Sequence, residues 1–153
     1  EQLDALLRAA LASGKWSLGP THGDFKVGNI LVDRQGDVGG VIDWDCWESR
    51  GLPLMDVMTL CVYEDARELK RHLGQSIARG LFLGDWSRSH NELIERERVD
   101  HGLSPHELNA LKVAFWAINL RDRIHWLALS IEDEAIRHLR EPAEHALRLL
   151  ERG

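Results

Sequence analysis

Cysteine is scarce in this chain: Cys46 and Cys61 are the only two in 153 residues, and no C-x-x-C or Cys/His spacing of the zinc-binding kind occurs. That excludes a disulfide framework and makes a reducing, cytoplasmic setting the expectation. Long apolar runs are also missing. The longest, around residues 113–120, contains Asn119 and gives way to Arg121, Asp122 and Arg123, too short and too charged to span a bilayer. Basic charge is in deficit as well, with 19 Lys and Arg against 25 Asp and Glu and a formal net charge of -6. Such a surface repels phosphate backbones, so neither a membrane nor a nucleic acid is an expected partner. The first residues lack the basic stretch and apolar core of a signal peptide. What is present is 44% apolar residues, enough for one sizeable core in a single domain.

Periodicity divides the chain. Leu3, Leu6, Leu7, Ala10 and Leu11 follow the spacing of an amphipathic helix that Ser13-Gly14 stops. No capping residue precedes Glu1, from which a longer parent protein is expected. Two short apolar runs, Ile30-Leu31-Val32 and Val38 to Ile42, flank a polar turn at Asp33 to Asp37 and predict a β-hairpin. Beyond Pro53 the pattern is helical. Leu54 to about Glu64 is apolar on nearly every side and reads as a buried helix. Arg67 to about Leu83, with Leu69, Leu73, Ile77 and Leu81, reads as one amphipathic helix, and Ser89 to Val99 as a charged one. Ser104-Pro105-His106-Glu107 is a capping box with proline at the first helical position. It opens a helix expected to reach about Leu129, rich enough in Leu, Phe, Trp and Ile to be the central core helix. A last helical region, Ile131 to Arg152, is expected to break or kink at Pro142.

The chemistry gathers in one segment, His22-Gly23-Asp24-Phe25-Lys26-Val27-Gly28-Asn29-Ile30-Leu31, followed fourteen residues after Asn29 by Asp43. An aspartate and an asparagine on one loop, with a second aspartate at the end of the next hairpin strand, can converge on one point. That geometry suits Mg²⁺, a hard ion that takes carboxylate and amide oxygens and completes its shell with phosphate oxygens and water. Phosphoryl transfer asks for little beyond positioning and charge neutralisation.

These residues resemble a family. His22-x-Asp24-x-Lys26-x-x-Asn29 is similar to the catalytic loop of the protein-kinase-like superfamily, and His-Gly-Asp in place of His-Arg-Asp is typical of its aminoglycoside phosphotransferase and choline kinase branch. Ile42-Asp43-Trp44-Asp45 resembles that branch's metal-binding strand end, and Gly51-x-Pro53-x-x-Asp56 the element that follows it. The resemblance covers about residues 18–60. It implies an α+β, mostly helical fold, a kinase-like C-terminal lobe with a small β-hairpin carrying the catalytic loop, and a helical subdomain over 61–153. It implies Asp24 as catalytic base or hydroxyl-orienting carboxylate, Lys26 as a phosphate-contacting catalytic lysine, Asn29 and Asp43 as ligands of Mg²⁺ and hence of bound ATP or GTP, and His22 and Asp56 as braces of the loop. The implied activity of the intact enzyme is transfer of the γ-phosphoryl group to a hydroxyl of a small metabolite or antibiotic. No Gly-rich phosphate loop or Val-Ala-Ile-Lys-like strand is found, so the nucleotide-binding N-terminal lobe is expected to be a missing partner, and this piece alone to be inactive.

Only nine residues separate Asp43 from Pro53, too few for a peptide-positioning activation segment, which disfavours a protein kinase. The alternative is a non-catalytic kinase-like module of a multidomain protein. Around the site Asp45 and Glu48 are candidate acceptor contacts or part of a solvated loop, and Asn119, Asp122 and His125 form a polar stripe on the long helix that is either an acceptor-reading face or its exposed edge. Trp116 and Trp126 on that helix are expected in the core, and Cys46 is expected to be incidental.

Overall fold

The computed structural model describes residues 2–127, 142 and 145–150, with the backbone alone for 2, 3, 6, 13 and 121–127. Helices dominate, joined by two small antiparallel sheets in an α+β arrangement. Among the described residues no helix is long and apolar enough to cross a membrane.

Helix α1 spans Gln2–Ser13 and buries Ala10, with Leu7 and Leu11 half-buried beside it, and packs against the long helix at Pro105–Leu127. The Trp16 indole donates to the Leu11 carbonyl at 2.6 Å, satisfying an acceptor that the helix end leaves open. Strands β2 (Ile30–Val32) and β3 (Val38–Val41) form the expected hairpin, with Ile30 opposite Val41. Its turn is closed by Asp33, whose Oδ1 accepts from the Gln35 and Asp37 amides at 2.9 Å each. The aspartate thus replaces backbone partners through the tight part of the turn.

A second pair was not anticipated. Strand β1 (Gly19–Thr21) runs antiparallel to β4 (Glu48–Gly51), closing the irregular segment into a ring that begins and ends beside the same helix start. Gly51 is needed there, because a β-carbon would run into the Thr21 side chain. The loop that carries Asp24 therefore bridges two sheets rather than belonging to one hairpin.

Helix α2 (Met55–Leu69) is longer than expected and is not buried all round: Met58, Cys61 and Val62 face the core, while Met55, Asp56 and Tyr63 are half-buried on another side. It stops at Lys70, which takes a left-handed φ of 51° and lets the Lys70 and Arg71 amides both reach the Ala66 carbonyl. The single helix expected from Arg67 to Leu83 is thus two pieces. A short α3 (Leu73–Gln75) runs into a π-helical stretch, Ser76–Phe82. Leu69 is 52% exposed whereas Leu81 is fully buried, so the four leucine and isoleucine positions never shared a face. Arg71 fixes the bend, reaching the buried Asp65 carboxylate and the Asp85 carbonyl.

Helix α4 (Arg88–Asp100) is capped by Ser87, whose hydroxyl accepts from the His90 amide, and buries Ile94. Helix α5 (Pro105–Leu127) opens on the capping box as read: the Ser104 amide donates to Glu107 Oε2 at 2.8 Å and the Glu107 amide to Ser104 Oγ at 3.2 Å. It supplies Leu108, Leu111, Val113, Phe115 and Trp116 to the core. Each such burial stabilises by about 1.5–3 kcal/mol; α5 packs mainly against α1 and also meets α2 and the π-helical stretch, which pack chiefly on each other. The expected end of this helix near Leu129 and the Pro142 kink lie outside the described residues; residues 145–150 are helical and place Ala146 and Leu150 in the core.

Candidate active site

The loop from His22 to Asn29 is held from below by α2. Asp56, in the first turn of that helix, accepts from the His22 amide at 2.7 Å and the Gly23 amide at 2.9 Å, one oxygen for each. His22 is buried and clamps the loop to the hairpin. Its Nε2 lies 2.9 Å from the Ile42 carbonyl, and its Nδ1 is 3.3 Å from the Asp24 amide. Those partners call for one tautomer, Nε2 donating to Ile42 and Nδ1 accepting from Asp24. The ring also packs on Trp44, with centroids 4.5 Å apart. Gly23 adopts φ 81°, and a β-carbon there would strike the Cys46 carbonyl, so the backbone around Cys46 sits directly against the loop.

On this support three polar side chains meet. Asp24 Oδ2 accepts from Lys26 Nζ at 2.6 Å and from Asn29 Nδ2 at 3.2 Å, and the same Asn29 amide donates to the Asp24 carbonyl at 2.9 Å. A three-residue 3₁₀ turn, Val27–Asn29, delivers Asn29 to this position and buries it. The ion pair with Asp24 raises the Lys26 pKa above the usual lysine range, chiefly through that hydrogen bond, with smaller contributions from Tyr63 and Asp43. Asp43 thus lies within electrostatic reach of the lysine. The Ile42 amide donates to the Asn29 carbonyl at 2.9 Å, tying the start of the Asp43 segment to the end of the loop. Asp43 has φ 67°, a left-handed conformation unusual outside glycine, in a residue type that tolerates it.

Beside Asp24 opens a cleft of about 800 Å³. One wall is the β1–β4 sheet, with Thr21, Glu48 and Arg50. The other is helical, with Met55, Thr59 and Tyr63 from α2 and Phe115, Ile118 and Asn119 from α5. Of the expected acceptor contacts, Glu48 and Asn119 line this cleft and Asp45 does not; the side chains of Asp122 and His125 lie outside the described residues. Asn119 donates to the Phe115 carbonyl at 2.9 Å, leaving its amide oxygen for other partners. Cys46, set aside in the sequence reading, lines the cleft next to Gly23. Tyr63 and Arg50 were missed altogether. The i, i+4, i+8 spacing of Met55, Thr59 and Tyr63 was the available signal, since it puts them along one side of α2.

The family model of the phosphotransferase enzyme family matches residues 1–91, a span containing α1, the Asp24 loop, both sheets and α2. The chain belongs to that family. No significant match is found among curated proteins or solved structures.

Proposed function

We propose that this chain is the C-terminal, acceptor-binding lobe of a small-molecule kinase, in which the γ-phosphoryl group of ATP or GTP passes to a hydroxyl of a small metabolite or drug. The observation that carries this reading is the Asp24–Lys26–Asn29 cluster, whose Asp24 lines an open cleft. Asp24 Oδ2 is engaged by Lys26 and Asn29, whereas its Oδ1 takes no hydrogen bond from the described residues, so one oxygen remains to accept a hydroxyl proton. Membership of the phosphotransferase enzyme family supports the same reaction class.

The donor set also suits Mg²⁺. Asn29 spends its amide nitrogen on Asp24, leaving a hard carbonyl oxygen, and the Asp43 carboxylate makes no ion pair with a described residue. Among the described residues no three His, Cys, Asp or Glu side chains gather as a metal cage. Asn29 and Asp43 would therefore hold an ion that shares its shell with phosphate oxygens and water, neutralising nucleotide charge. Lys26, cationic beside Asp24, would meet the transferring phosphoryl group.

One face of the hairpin supports a second element of the proposal. Val32 and Val38 lie opposite each other across the two strands and are 62% and 67% exposed. A nucleotide-binding lobe seated on this face would cover them and complete the site.

The test is a pair of substitutions in the intact protein. Asp24→Asn is expected to lower phosphotransfer by roughly 10²–10⁴-fold with Mg·ATP affinity nearly unchanged, while Asp43→Asn weakens Mg·ATP binding too. Wild-type turnover in Asp24→Asn at saturating acceptor, or equal loss of nucleotide affinity in both variants, would overturn these roles.

A further inference from the structure

Lys26 has a second neighbour besides Asp24. Its Nζ lies 5.8 Å from the centroid of the Tyr63 ring, within the range of a cation–π contact. The ring and the loop are also carried by one rigid element. Asp56, which holds the His22 and Gly23 amides, and Tyr63 are seven residues apart on α2, two turns along one side of the helix and about 10 Å along its axis. Whatever fixes the loop backbone therefore fixes the ring relative to it. Tyr63 and Asp24, the two neighbours of the ammonium, both line the cleft.

We propose that Tyr63 is a positioning residue that acts through Lys26, its ring face giving the ammonium a second resting place at the edge of the cleft. The proposal rests on the phosphotransfer reading. In the structure Lys26 sits on Asp24 at 2.6 Å, which occupies an oxygen of the proposed base. To meet a phosphoryl group the ammonium has to leave that carboxylate without being lost to solvent. The aromatic face holds it near the cleft through this exchange, and the ion pair is weak enough to allow it, with side chains 35% and 25% exposed. The role assigned here belongs to the ring face, which Tyr63→Phe keeps and Tyr63→Leu removes.

The experiment compares Tyr63→Phe and Tyr63→Leu, alone and with Lys26→Met. In wild type and Tyr63→Phe, the Lys26 Hε resonances, identified by their loss in Lys26→Met, are expected to be shifted upfield by the ring; in Tyr63→Leu the shift disappears. In the intact protein Tyr63→Leu is expected to lower kcat about tenfold with acceptor KM within a factor of about two, Tyr63→Phe to recover most of that loss, and Tyr63→Leu to add nothing on top of Lys26→Met. Equal loss in the Phe and Leu variants, or full additivity with Lys26→Met, overturns the proposal, as does an unshifted Lys26 in wild type. If the intact protein transfers no phosphate to any hydroxyl acceptor, the phosphotransfer reading fails and the role proposed for Tyr63 falls with it, while the resonance still reports whether ring and lysine touch.

Discussion

Removing the Asp56 carboxylate should unseat the His22–Asn29 loop, and the size of the loss follows from the two bonds it makes. Asp56→Ala deletes the acceptors of the His22 and Gly23 amides, at 2.7 and 2.9 Å. A hydrogen bond to a charged acceptor contributes about 1.5–3 kcal/mol. The Gly23 amide can turn to water, whereas His22 is 2% exposed and its amide cannot readily do so. The expected loss is therefore about 3 kcal/mol rather than the full sum for two such bonds. At about 2–4 °C per kcal/mol for a domain of this size, the melting temperature should fall by roughly 6–12 °C. Asp56→Asn should lose about half as much, because one amide oxygen still accepts while the NH₂ group faces the second donor. Urea unfolding followed by tryptophan fluorescence reads both, Trp44 beside His22 being one of the reporters. A loss below about 1 kcal/mol in Asp56→Ala would show that the loop is held by something else and refute the argument.

Gly23→Ala forces a β-carbon into the Cys46 carbonyl at a left-handed φ, so it should cost about 2–4 kcal/mol in urea unfolding and displace Asp24. The two thiols should separate in a native titration with a thiol-reactive disulfide at neutral pH, the exposed Cys46 reacting and the buried Cys61 only after unfolding. Burial pushes the Cys61 thiol up from 9.0 to about 12. Between those values the unfolded chain has released a proton that the folded chain keeps, so stability should fall as pH rises from about 9, and Cys61→Ala should flatten that fall.

What the sequence made legible was local. The Ser104 to Glu107 cap and the Asp33 turn are closed by residues within three or four positions, so their identities suffice to predict them. The β1–β4 pair joins segments some thirty residues apart through a Gly-Pro-Thr strand with no alternation, and no window of sequence contains its cause. The break at Lys70 was hidden in a different way, because a lysine rather than a glycine takes the left-handed cap, and the Arg71 bridge to Asp65 and Asp85 exists only after packing. The same division runs through the site. Asp24, Lys26 and Asn29 stood out by type and spacing, and their hydrogen bonds close within one loop. Tyr63 and Arg50 reach the cleft only because α2 and β4 are set against that loop, which their own neighbours in sequence do not announce.

The magnitudes also say which parts of the site hold still and which can move. Support is buried: His22 and Asn29 are 2% and 6% exposed, and their bonds to Ile42, Asp24 and Asp56 cannot be exchanged for water without cost. The Asp24–Lys26 pair is different. It lies partly in solvent, where screening weakens an ion pair, so a ligand bringing its own charge can open it without disturbing the backbone. On the proposed phosphotransfer reading, a loop fixed by Asp56 and His22 would keep Asp24 in place while Lys26 exchanges its partner on Oδ2 for a phosphoryl group. Substitutions at Asp56 should accordingly appear first as lost stability, and substitutions at Lys26 as lost turnover with stability nearly intact.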